Sequence, residues 1–577
     1  MFGNIGNRGF YPQWNETPPE RGSYRSIFKW GSPAEFKHPN RRLFQMIKDT
    51  FAMTDADFKT RLKEGNEPVK CNIPIKLSSE QIEVFKNIVG ESNISTDDYQ
   101  RVKYSNGKTM EEAMLLRNQL VGNVADVVVH PRNKIDIQAI VNFCDKEKIP
   151  LYVYGGGSSV NFGVQCTKGG VTLVMQTHLN KVIELNETNH TITVEAGMMG
   201  PDYEAALNEA PQRFNAKHSY TGGHFPQSFE YSSVGGWVST WGSGQQSSYY
   251  GDACDLVVSQ EYITPRGTFK TLDYPATATG PKLNDIMKGS EGAFGVLVSV
   301  TMKIFKNLPQ NRNRFAFIFP DWESAVNATR EISQGQFGMP SVLRISDAEE
   351  TDVALKLYGI EGSVLDQAIR LKGFKPHQRC LCIGHTEGEL DFSKNVKRKV
   401  RNLCQENGGM FLTGIPVKNW EHGRYKDPYL REDLNDYGIM IDTLESGVTW
   451  DNIHNLHQGV RAFVKKRPKT ICMTHASHFY PQGTNLYFIF IAKMSDIDEY
   501  RDFQHGIIDN IAKFGGSLSH HHGVGKMIAP WMEDHLGVEQ MNVLRALKSH
   551  FDPNSIMNPG GTMGLDLHPD MRRKKLK

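Results

Sequence analysis

Three consecutive histidines, His520, His521 and His522, run directly into Gly523-Val524-Gly525-Lys526. Imidazole gains or loses a proton near neutrality, so adjacent rings can supply a base, a cation and a hydrogen-bond donor within a small volume. Glycine lets the backbone approach a ligand closely, and Lys526 adds a positive charge. This segment therefore predicts a site at which an anionic substrate loses a proton.

A metal site and a surface histidine run are the alternatives for these rings. On an extended strand neighbouring side chains point to opposite faces, so three consecutive histidines cannot easily converge on one ion. The eight cysteines are scattered, and the one close pair, Cys380 and Cys382, lacks the usual zinc or redox spacing. The sequence favours catalysis or anion binding and predicts no metal.

Composition excludes several classes of protein. The 577 residues are too many for one core, and the 66 Lys+Arg against 64 Asp+Glu leave a net charge of +2, which does not indicate a nucleic-acid binder. No apolar stretch reaches the roughly 18 residues of a membrane-spanning helix. We recognise no secretory signal at residues 1–4 and no Ser-Lys-Leu address in the basic C-terminal tail.

Local patterns predict the first elements along the chain. Residues 1–118 are expected to form a helical region, in which Leu43, Met46, Ile47 and Phe51 follow helical spacing. From about residue 119, a β-branched strand, a helix over 133–148 and a strand over 150–154 lead into a glycine turn. Strand, helix, strand and glycine turn is a nucleotide-binding layout.

Three glycine-rich blocks lie beside predicted strands. They are Tyr154–Ser159, Gly222–Gly251, which includes Ser232–Gly236, and Lys288–Val296. Consecutive amides of residues that lack Cβ atoms can point at one pyrophosphate. None of the blocks shows the G-x-G-x-x-G fingerprint with a distal acid, so a Rossmann NAD site is poorly supported.

The order of these blocks resembles the FAD-binding domain of the vanillyl-alcohol oxidase / p-cresol methylhydroxylase flavoprotein family. The C-terminal segment Asp552–Gly560 is similar to the one that returns to the flavin domain in that family. Within the family, Ser517–Lys526 resembles the alkyldihydroxyacetonephosphate synthases. The resemblance covers roughly residues 90–563.

The resemblance implies an α+β fold in four parts. We expect an N-terminal helical region (1–118) and an FAD-binding domain of two α/β subdomains (119–305). A cap domain with an antiparallel sheet and the histidine loop (306–545) follows, and then a C-terminal segment (546–577) that returns to the FAD domain.

The resemblance also implies a reaction in ether lipid biosynthesis. The acyl group of 1-acyl-dihydroxyacetone phosphate is exchanged for a long-chain fatty alcohol through a covalent adduct at flavin N5, with no net redox change. FAD is expected to be bound non-covalently. The family further implies a peripheral membrane protein of the peroxisome and, by analogy, a homodimer.

Site residues follow from matching positions in the family. The predicted catalytic residues are Tyr487, His520, His521, His522 and Arg344. Arg344 and the three histidines, with Lys526, are predicted to bind substrate. The residues predicted to bind FAD are Tyr154, Gly155, Gly156, Gly157, Ser158, Ser159, Val160, Asn161, His224, Pro226, Ser232, Ser233, Gly235, Gly236, Gly289, Ser290, Glu291, Gly292, Gly295 and Val296.

The residue types themselves leave alternatives open. A tyrosine in an apolar strand is usually a core residue with a tethered hydroxyl, which is the alternative for Tyr487. An arginine such as Arg344 in an apolar strand favours a buried anion or carboxylate partner. His218 and His224 flank a glycine turn, where histidines commonly face solvent.

Two other functions share parts of the pattern. An FAD-dependent D-2-hydroxyacid dehydrogenase of the lactate or glycolate type would have similar glycine blocks, but usually a single Glu-His pair in place of the histidine run. In a non-enzymatic flavin-storing or scaffold protein, the three histidines would have no catalytic role.

Overall fold

The computed structural model describes residues 9–561 and 563–576, so the prediction about residues 1–4 lies outside the described residues. Between residues 9 and 118, the regular elements are predominantly helices, as predicted, and they are joined by long irregular segments. Its elements are α1 (Tyr24–Phe28), α2 (Arg41–Phe51), α3 (Ser79–Val89), β1 (Ile94–Ser95), α4 (Asp98–Lys103) and α5 (Met110–Arg117). In α2, the helix expected from periodicity, Leu43, Ile47 and Phe51 are buried.

A small sheet follows and includes the predicted strand, helix, strand layout. Its further elements are β2 (Val127–Val129), α6 (Lys134–Glu147), β3 (Leu151–Tyr154) and β4 (Val171–Val174). The strand order is β1-β2-β4-β3, with β2, β4 and β3 parallel and β1 antiparallel to β2. Because β1 precedes residue 119, the N-terminal region contributes an edge strand to this sheet.

A second sheet is antiparallel and has the order β5-β6-β10-β8-β9. The elements of this part are β5 (Val182–Asn186), β6 (Thr191–Glu195), α7 (Gly200–Asn208), α8 (Ala210–Phe214), β7 (Tyr220–Thr221), α9 (Val234–Ser239), α10 (Ser247–Tyr250), α11 (Ala253–Leu256), β8 (Val257–Thr264), β9 (Gly267–Lys270), β10 (Val296–Lys303) and β11 (Phe305–Lys306). One buried apolar cluster lies mainly within the second part, and another joins the first sheet to Ile263, Val296 and Val298 of the second sheet.

The third sheet has seven strands, all paired antiparallel, in the order β15-β12-β14-β13-β17-β18-β16. Its elements are β12 (Asn313–Phe319), α12 (Trp322–Gln334), β13 (Val342–Ser346), α13 (Ala348–Leu357), α14 (Val364–Leu371), β14 (Cys380–Thr386), α15 (Leu390–Glu406), β15 (Met410–Phe411), α16 (Ile415–Gly423), α17 (Leu430–Asn435), β16 (Ile439–Thr449), α18 (Ile453–Lys466), β17 (Thr470–Tyr480), β18 (Gly483–Lys493) and α19 (Ile497–Lys513). This is the antiparallel sheet expected of the cap.

The C-terminal part returns to the first sheet. After α20 (Met532–Leu536) and α21 (Val538–Phe551), Met557 bridges to Leu151 of β3 in the parallel sense. The Leu151 amide donates to the Ile556 carbonyl (2.7 Å), and the Asn558 amide donates to the Leu151 carbonyl (2.7 Å). The four domain boundaries themselves stay predictions. Among the described residues, no helix combines the length and apolar composition needed to cross a bilayer.

Candidate active site

Tyr487 lies on β18, between β16 and β17. The strand registers pair it with Glu445 on β16 and with His475 on β17. Directly opposed residues in antiparallel strands point to the same face of the sheet. A carboxylate, a phenol and an imidazole therefore stand side by side on one face of the cap sheet.

Glu445 holds the histidine loop by its backbone. Its carboxylate accepts hydrogen bonds from the amides of His520 (2.6 Å), His521 (3.1 Å) and His522 (3.0 Å), and from the Ser519 hydroxyl (2.8 Å). Burial alone would raise the pKa of Glu445, but nearby histidine charge and these amides lower it below its usual value. The segment is a bent loop around one carboxylate, and the extended conformation considered from the sequence is not what the structure shows.

Residues of the glycine-rich part also bind the histidine loop. Glu291 accepts hydrogen bonds from the amides of Val524 (2.6 Å) and Gly525 (2.8 Å). The Asn161 side chain donates to the His522 carbonyl (2.7 Å). A Cβ on Gly525 would lie 2.1 Å from the Asn161 carbonyl oxygen, so glycine is needed for this close approach. Two residues predicted to bind FAD therefore also position the catalytic loop.

A chain of hydrogen bonds sets the ring protons of His520 and His521. The Tyr480 hydroxyl donates its one proton to Asp252 (2.8 Å), so its oxygen must accept from Nε2–H of His520 (2.8 Å). In the His520 tautomer with its proton on Nε2, Nδ1 is a hydrogen-bond acceptor, and it lies 3.0 Å from Nδ1 of His521. The His521 proton then sits on Nδ1, which leaves the lone pair of that ring on Nε2.

Asp252 also orders a further histidine, His478 on β17. The Ser243 hydroxyl donates to Asp252 and lies 2.9 Å from Nδ1 of His478. The ring of His478 stands 5.4 Å from that of His520 and 5.0 Å from that of His521, measured between centroids. One carboxylate from the second glycine block thus supports two of the clustered imidazoles.

Burial keeps the imidazoles of His521 and His522 neutral near pH 7. It lowers the pKa of His521 well below the usual value, and neighbouring histidines lower it further. It also lowers the pKa of His522, although Glu445 opposes this. Their rings lie 6.2 Å and 5.6 Å from the ring of Tyr487. Both histidines can therefore accept a proton beside that phenol.

Tyr487 itself is a tethered residue of the site. Its hydroxyl donates to the Thr443 hydroxyl (3.1 Å), and its ring stacks on His475 at 4.9 Å. Burial raises the pKa of Tyr487 to about 12, so the phenol keeps its proton at neutral pH. The tether expected of a core tyrosine is present, and the same side chain faces the histidines.

Arg344 on β13 has the carboxylate partner that its apolar strand indicates. Its guanidinium pairs with Glu350 and lies 3.1 Å from Nδ1 of His475. Burial would raise the pKa of Glu350, but His475 and Arg344 outweigh it and lower that pKa to about 2. Arg344 thus reaches Tyr487 through His475, and a guanidinium has donors to spare for a second anion.

Lys526 makes its hydrogen bonds away from the histidines, Tyr487 and Arg344. Its ammonium donates to Asn558 (3.0 Å) and to the carbonyls of Phe162 and Gly163 (both 3.4 Å), and burial lowers its pKa to about 8. It borders a cavity of about 1070 Å³ beside the C-terminal segment, and the lining of this cavity includes none of the three histidines.

The structure brings the three glycine blocks together. A Cβ on Gly156 would lie 2.1 Å from the Tyr231 carbonyl oxygen, and one on Gly155 would lie 2.4 Å from the Ser233 hydroxyl. The amides of Gly289 and Glu291 donate to the carbonyls of Val238 (3.0 Å) and Ser239 (2.9 Å) in α9. The first and third blocks thus both abut the second, as one cofactor would require.

His224 fits a cofactor-binding role in this cradle. It is only 2% exposed, and neither ring nitrogen has a hydrogen-bond partner within the described part of the chain. Burial lowers its pKa to about 4, and its ring lies 4.8 Å from that of Trp237. A buried polar ring without a partner is costly, so a polar ligand such as the flavin would satisfy it. His218, by contrast, is exposed.

The other predicted cofactor residues have local roles in the same region. The Ser159 hydroxyl donates to Asn161 (2.8 Å), and Ser232 accepts from the Trp237 indole (2.7 Å). A Cβ would meet the Tyr154 side chain at Gly157 and backbone carbonyl oxygens at Gly235 and Gly295, so none of the three positions has room for it. Tyr154 is buried, Gly236 lies in α9 and Val296 begins β10. The remaining residues of the set lie in loops (Ser158, Val160, Pro226, Ser290, Gly292).

Sequence reasoning missed several members of the site. They are Asp252, Glu350, Glu445, His475, His478 and Tyr480. The alternation on β17, where His475 and Tyr480 are polar in an apolar strand, was an available signal. The partners of these residues lie on distant segments, so their roles depend on strand register and loop packing, which local sequence does not reveal.

Known protein families match the two main parts of the chain. The family model described as "FAD binding domain" matches residues 125–273, and the one described as "FAD linked oxidases, C-terminal domain" matches residues 308–562. FAD is therefore the cofactor, and the predicted α+β fold of FAD-binding domain and cap is confirmed.

Relatives narrow the family further. Alkyldihydroxyacetonephosphate synthase of Dictyostelium discoideum is 30% identical over 506 residues, which cover 84% of this chain and 81% of the relative. The chain belongs to the alkyldihydroxyacetonephosphate synthase family. A crystal structure of an alkyldihydroxyacetonephosphate synthase superposes with a TM-score of 0.79 at 27% identity, covering 93% of this chain and 99% of the other. p-Cresol methylhydroxylase, at 15% identity and a TM-score of 0.65 over 86% and 99% of the two chains, shares the fold.

In this member of the alkyldihydroxyacetonephosphate synthase family, the rings of His521 and His522 lie beside Tyr487, and Arg344 contacts Tyr487 through His475. The resemblance inferred from the glycine blocks and the histidine run is confirmed.

Proposed function

We propose that the protein replaces the acyl group of 1-acyl-dihydroxyacetone phosphate by a long-chain fatty alcohol, giving the 1-alkyl ether and a free fatty acid. Membership in the synthase family supports this reaction. The observation that carries the residue assignment is the meeting of Tyr487 with His521 and His522 on the cap face, with Arg344 joined through His475.

Proton removal from C1 of the substrate is assigned to Nε2 of His521. The hydrogen bonds from Asp252 through Tyr480 and His520 place the His521 proton on Nδ1 and leave Nε2 free. Burial keeps the ring neutral at pH 7, as a general base requires. His520 and its support hold the ring of His521 in this tautomer.

Tyr487 and Arg344 are assigned to the negatively charged groups of the substrate, namely the leaving carboxylate and the anion that is bound. A phenol with a pKa of about 12 is protonated at neutral pH and can protonate the departing carboxylate. The Arg344 guanidinium, balanced by Glu350, keeps unused N–H donors for an anionic group of the substrate. Proton donation is thus assigned to β18 and anion binding to β13, the two strands on either side of β17.

FAD would be held by the cradle of the three glycine blocks and His224. When bound, FAD would supply its electron-accepting ring nitrogen N5 next to C1, the carbon at which the acyl and alkyl groups are exchanged without net redox change. We propose that it is held non-covalently. Glu291 and Asn161 would then link the cradle to the histidine loop.

We further propose a peripheral membrane enzyme, a homodimer and a peroxisomal location. Both substrates are amphiphiles that reside in bilayers, and the location and dimer follow the family resemblance. Val364 and Leu371 on α14 are 84% and 89% exposed and lie seven residues apart on one face, beside Lys372. An exposed apolar face with a flanking cation suits contact with lipid.

An exchange assay tests the proposed function. The FAD-loaded protein is mixed with palmitoyl-dihydroxyacetone phosphate and hexadecanol, and the alkyl product and released palmitate are measured. Equal amounts of both products are expected, with an unchanged flavin spectrum. Flavin reduction by D-lactate or glycolate, without exchange, would instead identify a hydroxyacid dehydrogenase.

A further inference from the structure

The clustered imidazoles and Glu445 have the composition and spacing of metal ligands. Nδ1 of His520 and Nδ1 of His521 are 3.0 Å apart, and Nδ1 of His521 lies 3.7 Å from Oε2 of Glu445. One ligand atom from each of the three residues falls within 4.8 Å of the others. Tetrahedral zinc with Zn–N bonds of about 2.05 Å places two nitrogens about 3.3 Å apart. The rings therefore need to separate by only a few tenths of an ångström.

The three ligands are also oriented before any ion arrives. Among the described residues, Oε2 of Glu445 accepts one hydrogen bond, from the His520 amide, so it keeps a lone pair for a cation. Nδ1 of His520 carries a lone pair because Nε2–H is bound to Tyr480, which in turn is bound to Asp252. Metal-ligating histidines usually have such an outer hydrogen bond on the second nitrogen.

We propose that Glu445, His520 and His521 form an inhibitory site for a divalent cation of the zinc type. The cation takes the place of the proton that now lies between the two imidazoles. Water completes the coordination, as at zinc sites with three protein ligands. The inhibition rests on the proposed function, because it acts through the same base.

The inhibition follows from the ring proton of His521. When the cation occupies Nδ1, the proton of the neutral ring moves from Nδ1 to Nε2 of the same imidazole. The free lone pair on Nε2 is then lost, and the ring cannot remove a proton from the substrate. No redox change and no other reactant are involved.

Zinc binding is measured first, without any assay of activity. FAD-loaded protein is dialysed against buffered zinc, and bound zinc is quantified by atomic emission. We expect wild type to hold one equivalent more than His521→Gln. His377→Gln is the matched control, because His377 also pairs with an aspartate but is 86% exposed and remote from the loop; it should bind as wild type does.

Tyr480→Phe tests the outer hydrogen bond and guards against a folding artefact of His521→Gln. Loss of an outer-shell partner typically weakens metal binding by about 10- to 100-fold, so zinc affinity should fall by that factor while FAD absorbance and the unfolding temperature stay close to wild type. The same zinc content in wild type and His521→Gln, or an unchanged affinity in Tyr480→Phe, would overturn the site.

The exchange rate in the presence of zinc then tests the inhibitory role. Activity should fall as zinc occupies the site and return fully on adding a chelator. Bound zinc without loss of exchange would overturn the inhibition. Absence of exchange in metal-free protein would instead contradict the proposed function and leave the dialysis result standing on its own.

Discussion

Burial has opposite effects on the phenol and the imidazoles that meet beside β18. It raises the pKa of Tyr487 to about 12 and lowers the pKa of His521 well below its usual value. Desolvation disfavours whichever form is charged, so both groups are neutral at pH 7. The site thereby holds a proton donor and a proton acceptor together without ionising either one.

Tyr487→Phe should lower the exchange rate by about 10²- to 10⁴-fold, the usual contribution of a general acid or base. FAD content should not change, because Tyr487 lies on the cap sheet. Initial rates and flavin absorbance of the purified variant measure the two effects. Tyr274→Phe, at a tyrosine that is 61% exposed, is the control and should behave as wild type. Loss of FAD with loss of rate would make Tyr487 structural.

Glu350→Gln should remove a pH-dependent part of the free energy of unfolding. The pKa of Glu350 is lowered from 4.5 to about 2 in the folded protein, so its stabilisation is fully present above about pH 4.5 and lost as pH falls toward 2. That shift corresponds to about 3 kcal/mol. In urea unfolding, the stability gap between wild type and variant should be larger at pH 6 than at pH 3. A difference in stability that does not change with pH would refute this prediction. Glu539→Gln, at an exposed position, is the control and should unfold as wild type does at both pH values.

At the scale of elements, the histidine loop is shared between two parts of the molecule. Glu445 on β16 binds the amides of residues 520–522, whereas Glu291 in the third glycine block binds those of Val524 and Gly525. Each carboxylate satisfies backbone donors that a buried loop would otherwise leave unpaired. The loop is therefore ordered only when the cap sheet and the FAD cradle are both in place.

Gly156→Ala should release FAD. The new methyl group would meet the Tyr231 carbonyl oxygen at 2.1 Å, which forces the first and second glycine blocks apart. Flavin absorbance per protein after gel filtration measures the loss. Gly122→Ala is the matched control, because nothing lies within 4 Å of a Cβ built there. Equal flavin content in both variants would show that contact between the blocks does not matter for binding.

At the scale of the whole molecule, cofactor and fold should stabilise each other reversibly. Precipitation with trichloroacetic acid should leave FAD in the supernatant, because we propose non-covalent binding. A yellow pellet would contradict non-covalent binding.

Bound FAD should also stabilise the folded protein. At a free FAD concentration of 100 times Kd, binding adds about 2.7 kcal/mol to the free energy of unfolding, which thermal unfolding with and without added FAD would detect.

Local patterns were sufficient for much of the fold. Apolar periodicity predicted α2, and short apolar runs beside turn residues predicted β2 and β3. The edge strand β1 was not predicted, because two residues have no periodicity and gain strand structure only by pairing with β2. The bend at His520–His522 was also missed, since it depends on Glu445 some 75 residues away.

The sequence by itself determined the cofactor class and the family, because glycine blocks and a histidine run are local features that do not depend on distant residues. Tertiary structure alone decided the protonation states and partners of these side chains. Strand register places Glu445 and His475 beside Tyr487, and loop packing brings Asp252 through Tyr480 to His520. Burial and hydrogen bonding between distant segments set where each proton lies, and neither can be read from a local stretch of sequence.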